Sequence, residues 1–388
     1  MLVNFYLSAP RVLTDTGWQR HVFVRIERGR ITAIEQQPQA DLPVHTLSHG
    51  SLIPGLIDVQ VNGGGGVLFN QQPTREALRT MLQAHARFGT TAMLPTVITD
   101  SIEVMQQAAD TIASALAEQE AGVIGIHFEG PHLSLAKKGV HPPAHIRQLS
   151  DAEWQLYQRH DLGIKVVTLA PEMVAPELIA ELVAAGVHVC LGHSNADSAT
   201  VQAALTAGAT GFTHLYNGMS PLQSREPGMV GTALVDASSW CGIILDGHHV
   251  HPLAALLAYQ AKAKGKLMLV TDAMSPVGTD QQEFAFFQGK VVRQGTRLTD
   301  PSGSLAGSVL DMMSAVRNAR QQLGVALSEA IAMASGYPAD FLNCAGQRGS
   351  LALGKQADIV WLDDDAEVQG SWVQGQPFYV NTNYTGDA

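Results

Sequence analysis

The sequence predicts an α/β fold, a distorted (β/α)₈ barrel of the TIM type beside a small β-sandwich formed by both termini. Three observations predict it. Eight apolar runs alternate with helix-like segments between residues 52 and 344, the pattern of a parallel barrel. His, Asp, Glu, Gln and Asn residues stand at the C-terminal ends of these runs, where a barrel gathers its chemistry on one rim. Text with β character precedes and follows the barrel. A doubly wound open sheet would also gather strand ends. However, no Gly-x-Gly-x-x-Gly turn opens a helix after the first strand, and Gly63-Gly64-Gly65-Gly66 reads as a loop.

Residues 1–51 read as the first part of the sandwich. Val22, Val24 and Ile26 alternate with other residues, Glu27-Arg28-Gly29-Arg30 makes a turn, and Ile31 and Ile34 resume the period of two. The barrel is expected over 52–344. Its strands are Leu52 to Val61, Thr91 to Ile98, Val123 to Phe128, Ile164 to Leu169, Val187 to Leu191, Gly211 to His214, Gly242 to Leu245 and Leu267 to Val270. Helices are expected over Thr74 to Phe88, Ser101 to Leu116, Pro176 to Ala185 and Asp197 to Ala207, several behind a Ser, Thr or Asp cap. The sixth run is short, and the helix after it is poorly marked. A hairpin-like insertion covers Glu283 to Leu298, and helical text follows over Ser308 to Leu323 and Ser328 to Ala334. Residues 345–388, with Ile359-Val360-Trp361-Leu362, complete the sandwich.

Composition narrows the function. A 388-residue chain with 46% hydrophobic and 15% charged residues is expected to be globular rather than disordered. A formal net charge of −11 argues against nucleic acid or an anionic membrane as partner, while leaving room for a local phosphate pocket. Cys190, Cys241 and Cys344 are too far apart for a Cys-x-x-Cys site and read as reduced core thiols. No leader pattern and no apolar stretch of membrane-spanning length is seen, so the expectation is a cytoplasmic protein.

The rim residues suggest metal chemistry. His127 and Glu129 share one side of a strand by period two, and a buried glutamate is costly unless paired or bound to a metal. His193, in Gly-His-Ser-Asn, and His214, in Thr-His-Leu-Tyr-Asn, end later runs. With Glu129 they make an O,N,N set suited to Zn²⁺ or a similar divalent ion with one coordination position open. Asp272, after the eighth run, suits a base that takes a proton from a metal-activated water; capping a turn is the plainer role. Lys137-Lys138-Gly139-Val140-His141 reads either as a substrate-contacting loop or as a solvated basic turn. Arg225 supplies a forked donor for phosphate, with histidines of Asp246-Gly247-His248-His249-Val250-His251 assisting. Surface roles, or metal ligation by His248 and His251, stand as alternatives.

In order, these segments resemble the N-acetylglucosamine-6-phosphate deacetylases of the amidohydrolase superfamily. The similar text runs from Pro-Gly-Leu-Ile-Asp at 54–58 through Glu-Gly-Pro at 129–131, Lys-Lys-Gly-Val-His at 137–141, Leu-Ala-Pro-Glu at 169–172 and Gly-His-Ser-Asn at 192–195. It continues with Arg-Glu-Pro-Gly at 225–228, Asp-Gly-His-His-Val at 246–250, Val-Thr-Asp-Ala at 270–273 and Leu-Ala-Gly-Ser at 305–308. The resemblance implies hydrolysis of N-acetyl-D-glucosamine 6-phosphate to D-glucosamine 6-phosphate and acetate. It implies Glu129, His193 and His214 as metal ligands, Asp272 as base and then acid, and His141 as the group that polarises the amide carbonyl. Arg225 and His249 would hold the phosphate across a homodimer interface, and Asn217 would contact the sugar or phosphate. Where many amidohydrolases carry His-x-His, this chain has Gln60-Val61-Asn62. Neutral amides are poor Zn²⁺ ligands, so one tightly bound ion is expected, with Fe²⁺, Co²⁺ or Mn²⁺ also compatible and a weak second ion near Gln60 and Asn62 left open. The nearest alternative is an amidohydrolase acting on another N-acyl or cyclic amide. A catalytically silent sugar-phosphate sensor would be expected to lack Asp272 or a ligand.

Overall fold

Eight parallel strands, each hydrogen-bonded to the next in chain order, form the central sheet of the computed structural model, which describes residues 4–381. They are Leu56–Val61, Thr90–Ile98, Gly125–Glu129, Ile164–Leu169, Val187–Leu191, Gly211–Phe212, Trp240–Ile243 and Leu267–Leu269. The chain beyond the eighth strand returns to the first. Val61 and Ala273 form a parallel bridge, and Asp272 N donates to Gln60 O at 3.0 Å. The sheet therefore closes into a barrel, and residues after strands one and eight become neighbours. Strands such as Leu56–Val61 and Thr90–Ile98 are buried throughout, as strands between an inner core and an outer helical layer must be.

Helices begin where the caps lie. Thr74, Ser101 and Asp197 each accept a backbone N–H three residues on. A Ser150/Glu153 capping box starts Asp151–Tyr157, a helix the apolar period did not mark because it is only seven residues long. After the sixth strand a loop over 213–227 precedes the helix Gly228–Val235. That long connection explains the weak helical text there.

Two expectations change in detail. The run Leu52 to Val61 is two strands, parted at Gly55. A Cβ on Gly55 would stand 2.0 Å from Thr91 Oγ1, so the Thr91 side chain can pack against this break only because residue 55 is glycine. Ser51–Pro54 pairs instead with Ile359–Leu362 and Arg11–Thr14 in a six-stranded sheet drawn from both termini. A four-stranded sheet of Arg30–Glu35, Phe23–Glu27, Phe5–Ser8 and Val44–Thr46 faces it. Their shared core includes Leu7, Val24, Ile26, Ile359 and Trp361. The helix expected from Ser308 begins at Met312. The preceding residues brace the eighth strand, Ser308 Oγ donating to Thr271 O at 2.6 Å.

The insertion after the barrel is three antiparallel strands, Glu283–Phe286, Gly289–Gln294 and Arg297–Thr299. Its apolar face packs on Leu68, Met274 and Ala306, which brings Phe286 to the mouth of the barrel.

Candidate active site

Glu129 ends the third barrel strand, His193 follows the fifth and His214 follows the sixth. Parallel registry sets those ends side by side. Glu129 Oε1 lies 3.1 Å from His193 Nε2 and 3.0 Å from His214 Nε2, and the two Nε2 atoms are 3.0 Å apart. All three side chains are buried. His193, His214 and Asp272 have left-handed φ values of 47°, 34° and 51°. Strained non-glycine backbone at three such neighbours is characteristic of a functional site over-determined by its surroundings.

The donor set fits a cation. His193 Nδ1 donates to Lys137 O at 2.8 Å, so its Nε2 presents a lone pair to the Glu129 carboxylate oxygen. Two acceptors facing each other at 3.1 Å repel unless positive charge lies between them. Ligand atoms about ~2.0–2.1 Å from one tetrahedral Zn²⁺ would stand roughly 3.3 Å apart, close to the spacing here. Burial alone would raise the Glu129 carboxyl, but the adjoining His193 and His214 rings outweigh it and hold it well below the usual range.

Asp272 is bound into the same cluster through the residues that stand where His-x-His would be. Asn62 Nδ2 donates to Asp272 Oδ1 at 2.6 Å, and Gln60 Nε2 lies 3.2 Å from that oxygen and 3.1 Å from Glu129 Oε2. Two amide donors thus tie down one carboxylate oxygen and leave Oδ2 for chemistry. Burial first, and the Glu129 charge second, push the Asp272 carboxyl up to about 6. Below it, fully buried Asp58 accepts from Thr271 Oγ1 and from the Gln60 and Thr271 backbone N–H groups. This arrangement secures the first strand against the turn that carries Asp272.

A cavity of about 160 Å³ opens over the cluster, lined by Glu129, His193, His214 and Asp272 together with Asn62, His141, Asn217 and His249. His141 is buried, with Nδ1 on Thr99 Oγ1 at 2.9 Å and Nε2 3.9 Å from Glu129 Oε1. Burial, then the adjacent His193, lower its pKa well below the ordinary histidine value, so the ring is neutral. His249 Nδ1 bonds Asp246 Oδ2 at 2.7 Å, and Asp246 Oδ1 accepts the His248 and His249 backbone N–H groups, which aims the ring. Apolar Ile98, Val140, Met274, Phe286 and Leu305 line the rest.

Of the two phosphate residues expected from across a dimer interface, His249 lines its own chain's cavity and Arg225 does not. Arg225 is exposed on the loop after the sixth strand. His248 bonds Thr296, and His251 caps the helix Pro252–Ala261, so neither approaches the Glu129 cluster. The side chains of Lys137 and Lys138 do not line the cavity wall; Lys137 contributes only its carbonyl. Cys190, Cys241 and Cys344 are buried free thiols. Sequence reasoning missed Thr99, Gly218 and the donor role of Gln60 and Asn62. Thr99 could have been found as the polar residue directly after the second apolar run.

Residues 51–383 match the model of the Amidohydrolase family. The chain is 58% identical over 382 residues to the N-acetylgalactosamine-6-phosphate deacetylase of Shewanella sp. (strain ANA-3), covering 97% of each. It is 37% identical over 377 residues to the N-acetylglucosamine-6-phosphate deacetylase of Vibrio furnissii, covering 95% of this chain and 93% of that one. The crystal structure of N-acetylglucosamine-6-phosphate deacetylase from Pasteurella multocida superimposes with a TM-score of 0.93 at 34% identity, covering 97% of this chain and all of that one. Closed barrel, convergent O,N,N cluster and full-length likeness agree, and the chain belongs to the amidohydrolase family.

Proposed function

We propose that this chain is a metal-dependent deacetylase of N-acetylated amino-sugar 6-phosphates, taking N-acetyl-D-glucosamine 6-phosphate to D-glucosamine 6-phosphate and acetate in amino-sugar catabolism. The observation that carries it is the meeting of Glu129, His193 and His214 within 3.1 Å, linked by the Gln60 amide to Asp272. Those three residues would hold one divalent cation, with Zn²⁺ favoured by the N,N,O donor set. When bound, such an ion polarises an amide carbonyl and makes water acidic enough to attack near neutral pH.

The protein's own groups do the rest. Asp272 Oδ2 takes a proton from the attacking water, and the same carboxyl then protonates the amine as the C–N bond breaks. His141 donates to the carbonyl oxygen as negative charge develops on it. Asn217 and His249 bind the sugar phosphate at the far side of the cavity, which fixes the amide in place. Arg225 reaches a phosphate only from another copy of the chain. Leu222, on the same loop, lines one surface hollow with Val235 and Leu257, each at least half exposed, an apolar face suited to a homodimer. The three unpaired cysteines agree with a cytoplasmic setting.

The 58% identity to a relative named N-acetylgalactosamine-6-phosphate deacetylase supports a second reading, the 4-epimer N-acetyl-D-galactosamine 6-phosphate as preferred substrate. Acetate release from both phosphorylated epimers and from unphosphorylated N-acetylglucosamine, with and without chelator, tests both. A chelator-sensitive reaction requiring the phosphate is expected, and the epimer ratio of kcat/KM decides between the two. A metal-loaded protein inert toward both phosphorylated sugars would sink the proposal.

A further inference from the structure

Thr99 stands at the end of the second barrel strand, outside every motif that marks the site, yet it is buried and touches the ring of His141. A hydroxyl bonds either tautomer of an imidazole, as donor to a bare Nδ1 or as acceptor from an Nδ1–H. Which one it serves decides what Nε2 offers the cavity: an N–H that can support an oxyanion, or a lone pair that cannot.

The role of His141 beside the reacting carbonyl calls for the N–H, and two distances agree with it. Nε2 lies on the cavity side, 3.9 Å from Glu129 Oε1, and a neighbouring carboxylate favours an N–H there over a second lone pair. The competing acceptor for the Thr99 hydroxyl, Glu129 O, is 3.4 Å away, against 2.9 Å for Nδ1. Once Nε2 carries the ring's one N–H, as its place facing the cavity requires, Nδ1 is a bare acceptor and the hydroxyl donates to it over the shorter distance. Gly130 permits the approach. A Cβ there would sit 2.2 Å from Thr99 Oγ1 and displace the hydroxyl.

We propose that Thr99 is a positioning residue that holds His141 in its Nε2–H tautomer, its hydroxyl donating to Nδ1 so that the ring's one N–H faces the reacting carbonyl. The inference rests on the reading of His141 as the group that polarises that carbonyl. Removing the hydroxyl leaves the ring in place but releases its tautomer, so the defect belongs to the transition state rather than to substrate binding. A wrong tautomer at an otherwise intact site is costly in turnover.

The test uses metal-loaded holoenzyme. Thr99→Val, which keeps shape, is expected to lower kcat roughly tenfold or more, with KM and bound metal unchanged. Thr99→Ser, which keeps the hydroxyl, is expected to recover most of that loss. ¹⁵N NMR of the histidine rings, with His141 assigned through His141→Asn, should show Nε2–H in the unmodified protein and a mixed population in Thr99→Val. An Nδ1–H ring in the unmodified protein overturns the proposal without any variant. So does full turnover in Thr99→Val, or a Thr99→Ser enzyme as slow as the valine variant. If His141→Asn is fully active, the reading of His141 has failed, whereas the ring spectrum still reports separately on what Thr99 does.

Discussion

Replacing Gly218 with alanine should weaken metal binding from a position that ligates nothing. Gly218 has φ +61°, and a Cβ there would stand 2.9 Å from His193 Nδ1 and 3.3 Å from Lys137 O. Those are the two ends of the 2.8 Å bond that orients the His193 ring. The methyl therefore cannot fit unless ring and carbonyl part. Two costs follow. Alanine in the left-handed region costs about 1–2 kcal/mol of folding stability. Loss of an orienting hydrogen bond on a ligand histidine weakens metal affinity by about 10–100-fold, or roughly 1.4–2.7 kcal/mol. Denaturant unfolding of the metal-free protein reads the first, and competition against a chelator of known affinity reads the second. Both should fall, so that metal rescues the variant's stability less than it rescues the unmodified protein. If metal affinity is unchanged while metal-free stability drops, the geometry around His193 Nδ1 does not govern the site and the reasoning fails.

Three further outcomes are expected. Asp272→Asn should keep its metal and lose about 10²–10⁴-fold in kcat, because the amide cannot accept the water's proton; acetate release and metal analysis check it, and an active variant removes Asp272 from the role of base. Arg225→Ala should raise KM for the phosphorylated sugar far more than for the unphosphorylated one, and equal losses on both would contradict a phosphate contact. The rate should also fall on acidification. Asp272 works as carboxylate, and burial with the Glu129 charge pushes its pKa up to about 6. The protonated, inactive form therefore accumulates as pH drops through that value, and the cation's charge moves the limb lower. A pH–kcat/KM profile with its acid limb above 6 would contradict this assignment.

The chain's chemistry was visible before its shape. A run such as Ile164–Leu169 or Val187–Leu191 coincides with its strand, because a barrel strand is covered on both faces and is therefore mostly apolar. Each rim residue was likewise marked by its place after such a run, since a parallel strand delivers its C-terminal neighbour to a common edge. Identity at that level is local, and a one-dimensional string records it.

Tertiary structure alone decided how those residues act. Gln60 and Asn62 read as poor ligands, but folding turns them toward Asp272 and Glu129 as hydrogen-bond donors. Lys137 looked like a charge and serves through its carbonyl. Thr99 carried no motif, and it meets His141 from a different loop. Each of these depends on the direction of a hydrogen bond between residues distant along the chain. Direction is set only when the barrel closes, so residue order could name the groups but not which atom of each would face which.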